Sequence, residues 1–92
     1  MDIHHKDDGK KGRFYVLSDG VLSAEMTYVW AGDTKIIIDH TEVDERWKGQ
    51  GAGKQLLTKA VQFARDKNIK ILPLCPFSKS VFEKTEELRD VI

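Results

Sequence analysis

Residues Arg46–Leu56 read RWKGQGAGKQL, with glycines at 49, 51 and 53 and a lysine at each end of the run, Lys48 and Lys54. Glycine loses more backbone entropy on folding than any other residue, so three within five positions need a physical reason. The segment after the glycines is helical. Leu56, Leu57, Ala60, Val61, Phe63 and Ala64 recur at three- and four-residue spacing from Lys54 to Lys67, with Gln55, Lys59, Gln62 and Arg65 on the other side. Asn68 then serves as a stop. The segment before them is a strand, KIIIDHTEV (35–43), whose continuous β-branched run suits a position covered on both faces. The glycines therefore occupy a strand-to-helix junction.

Outward from this junction the chain alternates. RFYVLS and VLSAEMTYVW flank Asp19-Gly20, a pair suited to the positive φ angles of a tight hairpin. In the second run Leu22, Ala24, Met26, Tyr28 and Trp30 alternate with polar residues, which predicts a half-buried antiparallel strand. Ala31–Asp33 make a second turn. IKILPLC (69–75) forms a short strand punctuated by Pro73 and Pro76, and a last helix starts near Ser78 or Ser80, with Ser80 and Glu83 as a capping box. A strand–helix–strand passage implies a parallel pair with a right-handed crossover. The predicted fold is α/β: an antiparallel three-stranded meander, a parallel strand reached by a crossover helix, and a C-terminal helix.

A helix N-terminus presents unpaired N–H groups and the positive end of the helix dipole, and glycines let a ligand reach that backbone. The junction is thus an anion site, best suited to phosphate. It is not a nucleotide P-loop. Counting back from Gly53-Lys54 puts Lys48 where the first glycine belongs, and Gln55 stands where the magnesium-binding hydroxyl is needed. The dinucleotide fingerprint fails too, because its last glycine would fall on Lys54 or Leu56.

Lys48-Gly49-Gln50-Gly51-Ala52-Gly53 resembles the coenzyme A pyrophosphate loop of the GNAT superfamily of N-acetyltransferases, with lysine in place of the usual Arg or Gln. Lysine keeps the charge and loses the planar fork. The DHTEV and ILPLCPF segments extend the likeness to a group of very short GNAT-like proteins, over roughly Phe14 to the C-terminus. The resemblance implies a minimal GNAT-like fold that binds acetyl-CoA (coenzyme A) in a cleft between the third and fourth predicted strands. Thr41, Glu42 and Val43 would hold the pantetheine arm. Lys48, Gly49, Gln50, Gly51, Ala52, Gly53 and Lys54 would hold the pyrophosphate. It implies acetyl transfer to an amine-bearing acceptor; the alternative is a CoA-binding or protein-interaction module without catalysis.

Two catalytic candidates lie in reach of that cleft. His40 suits a general base, since imidazoles as a class exchange protons near neutral pH; otherwise it is a histidine satisfied by Asp39 or a backbone group. Cys75 is an acyl-accepting nucleophile, a proton donor to the leaving thiolate, or a small buried apolar residue. With Cys75 ending the neighbouring parallel strand, both are expected to point toward the same cleft mouth. Trp47 is placed to cover the cofactor, while Phe77 and Phe82 read as core.

Composition narrows the partners. The chain has 92 residues, 40 % hydrophobic and 33 % charged, with 15 acidic and 15 basic residues. That balance gives no field directed at nucleic acid or membrane, and no apolar run approaches the roughly 20 residues of a membrane span. One cysteine excludes an intrachain disulfide and, with a polar N-terminus, suits a cytoplasmic setting. No His/Cys cluster has metal spacing. Residues 1–12 read as a flexible tail carrying solvated His4 and His5, residues 13–92 as one domain, and the assembly as a monomer or weak dimer.

Overall fold

The computed structural model describes residues 2–92 and follows the predicted order, with one strand more. The strands are β1 (Ile3–Asp7), β2 (Lys11–Ser18), β3 (Val21–Trp30), β4 (Lys35–Val43) and β5 (Lys70–Pro73). They form one sheet in the order β1-β2-β3-β4-β5. The first four are antiparallel, and β5 pairs in parallel with β4. The crossover helix α1 spans Ala52–Lys67; α2 spans Pro76–Lys84, followed by a 3₁₀ segment at Glu86–Val91. No helix among the described residues is long and apolar enough to cross a membrane.

Local chemistry explains most boundaries. Asp19 and Gly20 take φ of 51° and 77°, the double left-handed turn that matches the twist of β2 and β3. Asn68 closes α1 in the left-handed region, its N–H donating to the Ala64 and Arg65 carbonyls. The last helix starts at Pro76, earlier than the expected Ser80 capping box. Pro76 takes the first helical position, where a missing N–H costs nothing. Cys75 acts as the cap, its Sγ accepting from Ser78 N–H.

Both helices pack on one face of the sheet. The core joins Phe14, Met26, Tyr28, Ile36 and Ile38 to Leu56, Leu57, Val61 and Phe82. Leu56 and Leu57 are fully buried, so truncating either to alanine costs about 2–5 kcal/mol. The opposite face carries Arg13, Glu25, Thr27, Val29 and Asp39 and has no helix over it. Two bulges adjust the alternation. Ser23 is an extra residue of β3 opposite the Val16–Leu17 step, and Asp39 an extra residue of β4 opposite Thr27–Tyr28. Past Asp39 the inward positions become Thr41 and Val43, and His40 turns outward.

The segment expected to be a loose tail is instead built into the sheet. β1 pairs with β2 from Ile3↔Val16 to Asp7↔Gly12. His5, expected to be solvated, stacks on Phe14 at 4.1 Å between ring centroids and meets Phe63 edge-on. Its Nε2 donates to the Tyr28 hydroxyl at 2.6 Å, and that hydroxyl donates to Asp7 Oδ2 at 2.5 Å. Trp30 Nε1 donates to the same oxygen at 2.9 Å. Burial, and then the Asp7 carboxylate, push the Tyr28 hydroxyl far above its ordinary range, so it stays a donor. Gly12 makes room for this network, because a Cβ there would overlap the Tyr28 ring and stand 2.6 Å from the Lys6 carbonyl oxygen.

Two outcomes are expected. Gly12→Ala should destabilise the protein by about 1–3 kcal/mol in chemical denaturation, through overpacking against Tyr28. Acidification should also cost stability. Burial lowers the His5 pKa below its ordinary 6.5 despite the opposing pull of Asp7, so the folded state takes up its proton later than the unfolded chain. Burial alone would raise the Asp7 carboxyl, but hydrogen bonds from Tyr28, Gly9 N–H and Trp30 together hold it below 3.8. The His5 contribution is therefore present above 6.5 and fades as pH falls below it; the Asp7 contribution fades below 3.8. Melting temperatures measured from about pH 7.5 to pH 5 should drop, and His5→Phe, which keeps the ring stack, should flatten that drop.

Candidate acyl-donor and acceptor site

The chain leaves β4 through a short 3₁₀ turn, Glu45–Trp47, capped by Asp44, whose Oδ1 accepts from Arg46 N–H at 3.0 Å. The Arg46 backbone N–H, and then its side chain, hold the Asp44 carboxyl below its usual range. Gly49 and Gly51 come next, with φ of 81° and 76°, a conformation that strains any side chain. Gly51 is the cap of α1, and its carbonyl accepts the first helical bond from Gln55 N–H at 3.0 Å. The N–H groups of Gly49, Gly51, Ala52, Gly53 and Lys54 donate to no acceptor among the described residues. α1 thus begins two residues before the predicted Lys54, and its open donors sit on the glycines themselves.

These donors border a cavity of about 460 Å³. Its wall includes Thr41 and Val43 of β4, Lys48, Gly49 and Gly51–Lys54 of the loop and α1, and Trp47, Phe77 and Val81. No acidic side chain among the described residues lines it. Eight of the ten residues expected to hold a cofactor are therefore brought together. Two are not. Glu42 faces the other side of β4, in a cavity shared with Glu25 and Asp44. Gln50 folds back, its Nε2 donating to the Arg46 carbonyl at 3.3 Å. Gly53 has a different task from its neighbours: a Cβ there would stand 2.7 Å from Phe77 Cζ, so this glycine lets α1 and α2 approach closely. Phe77, expected in the core, is instead 39 % exposed and forms part of the wall.

The two catalytic candidates separate. Cys75 is buried, with its Sγ 3.1 Å from Thr41 Oγ1 and 2.9 Å from Ser78 Oγ. His40 is exposed on the opposite face, with its Nε2 3.6 Å from Glu42 Oε2. They do not share a cleft mouth, because the Asp39 bulge shifts His40 off the inward register that Ile36 and Ile38 set. Sequence reasoning named Ser78 only as a possible helix start and missed its contact with Cys75, where its hydroxyl is fully buried; no local signal marks that contact.

Between the two faces lies an opening. The β4–β5 ladder ends at Ile38↔Pro73, and Leu74 and Cys75 N–H both donate to the Ile38 carbonyl, at 3.0 and 3.1 Å. Beyond that point no strand pairs with β4 on this side among the described residues. An extended ligand thus has a free backbone edge from Asp39 to Val43, leading to the open donors of α1.

The overall fold occurs in known proteins. The family profile described as GCN5-related N-acetyl-transferase matches residues 13–91. A Staphylococcus aureus protein solved in solution by NMR and described as GCN5-like is 38 % identical; the match covers 96 % of this chain and 85 % of that one, with a TM-score of 0.74. A ribosomal-protein-alanine N-acetyltransferase from Brucella melitensis shares the fold at 18 % identity and a TM-score of 0.67, over 84 % of this chain and 63 % of that one. So does a GNAT family acetyltransferase from Elizabethkingia anophelis with acetyl-CoA bound, at 14 % identity and a TM-score of 0.68, over 90 % and 72 % of the two chains. No curated protein matches the sequence. With its strand-to-helix glycine junction, its parted β4 and β5, and a profile match over nearly its whole length, this chain belongs to the GCN5-related N-acetyltransferase family.

Proposed function

We propose that the chain binds acetyl-CoA in the glycine-loop cavity and transfers the acetyl group to an amine. The observation that carries this reading is that five residues whose N–H groups are unpaired line one cavity wall, which continues into an unpaired strand edge. The wall suits a pyrophosphate joined to an extended amide-bearing arm: N–H donors and the α1 dipole meet the anion, Lys48 and Lys54 add positive charge, and Thr41 to Val43 border the arm. Acetyl-CoA brings an activated acyl carbon in its thioester. His40 does not border the cavity, so it takes the proton that the acceptor amine must lose only from an acceptor that enters from the open face of β4. Cys75 Sγ, linked to the cavity through Thr41 Oγ1, supplies a proton to the departing thiolate. One C–N bond forms and one C–S bond breaks, and the proton gained at His40 balances the one given at Cys75 through solvent. A second reading, a CoA-binding module without transfer, draws support from the separation of His40 and Cys75 onto opposite faces.

Adding CoA should raise the melting temperature by mass action and shift the amide resonances of Gly49 to Lys54. Gly51→Val, which strains the loop and fills the approach, should abolish both effects. ATP with magnesium should bind more weakly than CoA, because Gln55 stands where a P-loop has its hydroxyl. Undisturbed Gly49–Lys54 amides at saturating CoA would overturn the assignment. Catalysis is tested with acetyl-CoA and a panel of amines by mass spectrometry. Cys75→Ser keeps the helix cap, but its hydroxyl is a far weaker acid than a thiol, so it should lose transfer while CoA binding stays intact. Cys75→Val should lose about 10²-fold or more. An acetyl group found on Cys75 itself, removable by hydroxylamine, would make it a nucleophile instead; CoA binding with no transfer to any amine selects the module.

A further inference from the structure

A cavity of about 780 Å³ belongs to the open face of the sheet and plays no part in the donor site. Basic and acidic side chains both line it, with Asp7 and Asp8 among the cations. Lys6, Lys11 and Arg13 stand over β1 and β2, and Asp39 stands on β4. The acids nearest the cations are already engaged: Asp7 Oδ1 accepts from Gly9 N–H at 2.7 Å, and Asp8 Oδ1 from the N–H groups of Lys10 and Lys11 at 2.9 and 2.8 Å. Lys6 and Lys11 form no ion pair among the described residues, and Arg13 commits one nitrogen, Nη1, to Glu25 at 2.6 Å. Its guanidinium lies over Tyr15, 4.3 Å from the ring centroid, which limits the directions open to the remaining N–H groups. At the other end Asp39 Oδ1 accepts from Thr27 Oγ1 at 2.6 Å, leaving its second oxygen open.

The register makes this a measured gap. Arg13 is directly opposite Thr27, and Thr27 is opposite His40, next to the Asp39 bulge. Two strand spacings separate the Arg13 backbone from that of Asp39 and His40, about 10 Å. That span suits a short chain with one charge at each tip, met at one end by the N–H groups of Arg13 that its stacking on Tyr15 and its pairing with Glu25 leave open. The acidic end is also the end beside His40 and the β4–β5 opening, which the acetyl-transfer reading takes as the place of transfer.

We propose that this face selects the acceptor: a small amine that also carries a carboxylate, held with its ammonium at Asp39 and its carboxylate at Arg13 and Lys11. The proposal deepens the acetyl-transfer reading and rests on it for the word acceptor; the binding site itself stands on the charge layout alone. A simple amine would leave the cationic end unpaired, and a simple carboxylate would leave Asp39 unpaired, so each loses one charge-assisted contact.

The probes are 4-aminobutyrate, butylamine and butyrate, titrated by NMR against the ¹⁵N-labelled full chain. 4-Aminobutyrate should shift the amides of Arg13, Thr27 and Asp39 and bind about tenfold or more tighter than either one-charge probe. Asp39→Asn, which keeps the oxygen that accepts from Thr27, should weaken 4-aminobutyrate to the level of butyrate and leave butyrate unchanged. Arg13→Gln should weaken it to the level of butylamine and leave butylamine unchanged. The unaltered probe in each case reports an intact fold. Equal binding of the three probes, or no shift with any of them, overturns the proposal. The CoA-induced melting shift is read separately, so loss of zwitterion binding with that shift intact refutes this inference alone, and loss of the CoA shift refutes the acetyl-transfer reading alone. With both intact, mass spectrometry should find acetylated 4-aminobutyrate and little acetylated butylamine.

Discussion

Strand β4 has to serve both faces of the sheet, and the insertion of Asp39 between Ile38 and His40 is how it does so. A regular strand would carry 36, 38, 40 and 42 inward together, sending His40 and Glu42 into the packed side and Thr41 out. With one extra residue the alternation resets. Ile36 and Ile38 remain core, Thr41 and Val43 reach the cavity by the glycine loop, and Asp39, His40 and Glu42 face solvent. The bulge also bends β4 near the point where β5 parts from it, which opens the backbone edge. The cavity wall, the contact from Thr41 to Cys75 and the outward facing of His40 all depend on that single insertion.

The three glycines of the loop illustrate how one sequence signature divides into separate physical requirements. Gly49 and Gly51 are there for backbone conformation, since a Cβ at either would meet nothing within 4 Å. Gly53 has an ordinary helical backbone, and its missing Cβ is space occupied by the Phe77 ring. Two glycines therefore shape the donors and the third sets how close α2 comes. Phe77 links the requirements, because the ring that rests on Gly53 also walls the cavity that Gly49 and Gly51 open.

Legibility tracked range. The Asp19-Gly20 turn, the stripe of α1, the Asn68 stop and the glycine junction are local signals, and each lay in the sequence in the place the structure has it. The features that escaped were non-local. β1 is polar at four of its five positions, IHHKD, so nothing in the segment itself predicts a strand; its order comes from Tyr28, Trp30 and Phe63, far along the chain. The Asp39 bulge leaves no compositional trace within IIIDHTEV, so the facing of His40 could not be read from alternation. Cys75 looked like the end of a strand because ILPLC is apolar, whereas Pro73 and Pro76 shorten the strand and make the cysteine a helix cap.

The strand order also has a kinetic meaning. Because β1 to β5 lie side by side in chain order, three of the four pairings close through tight turns of two to four residues, and loop-closure entropy barely opposes them. Only the β4–β5 pairing must wait for a long excursion, from Asp44 through α1 to Ile69. Contacts this local favour fast folding, with the meander zipping from its hairpins and the parallel strand docking once the crossover helix has formed. The glycine junction belongs to that one costly excursion. Its glycines add to the backbone entropy that this excursion loses on folding, so substitutions that restrict them act on the closure of the β4–β5 pair.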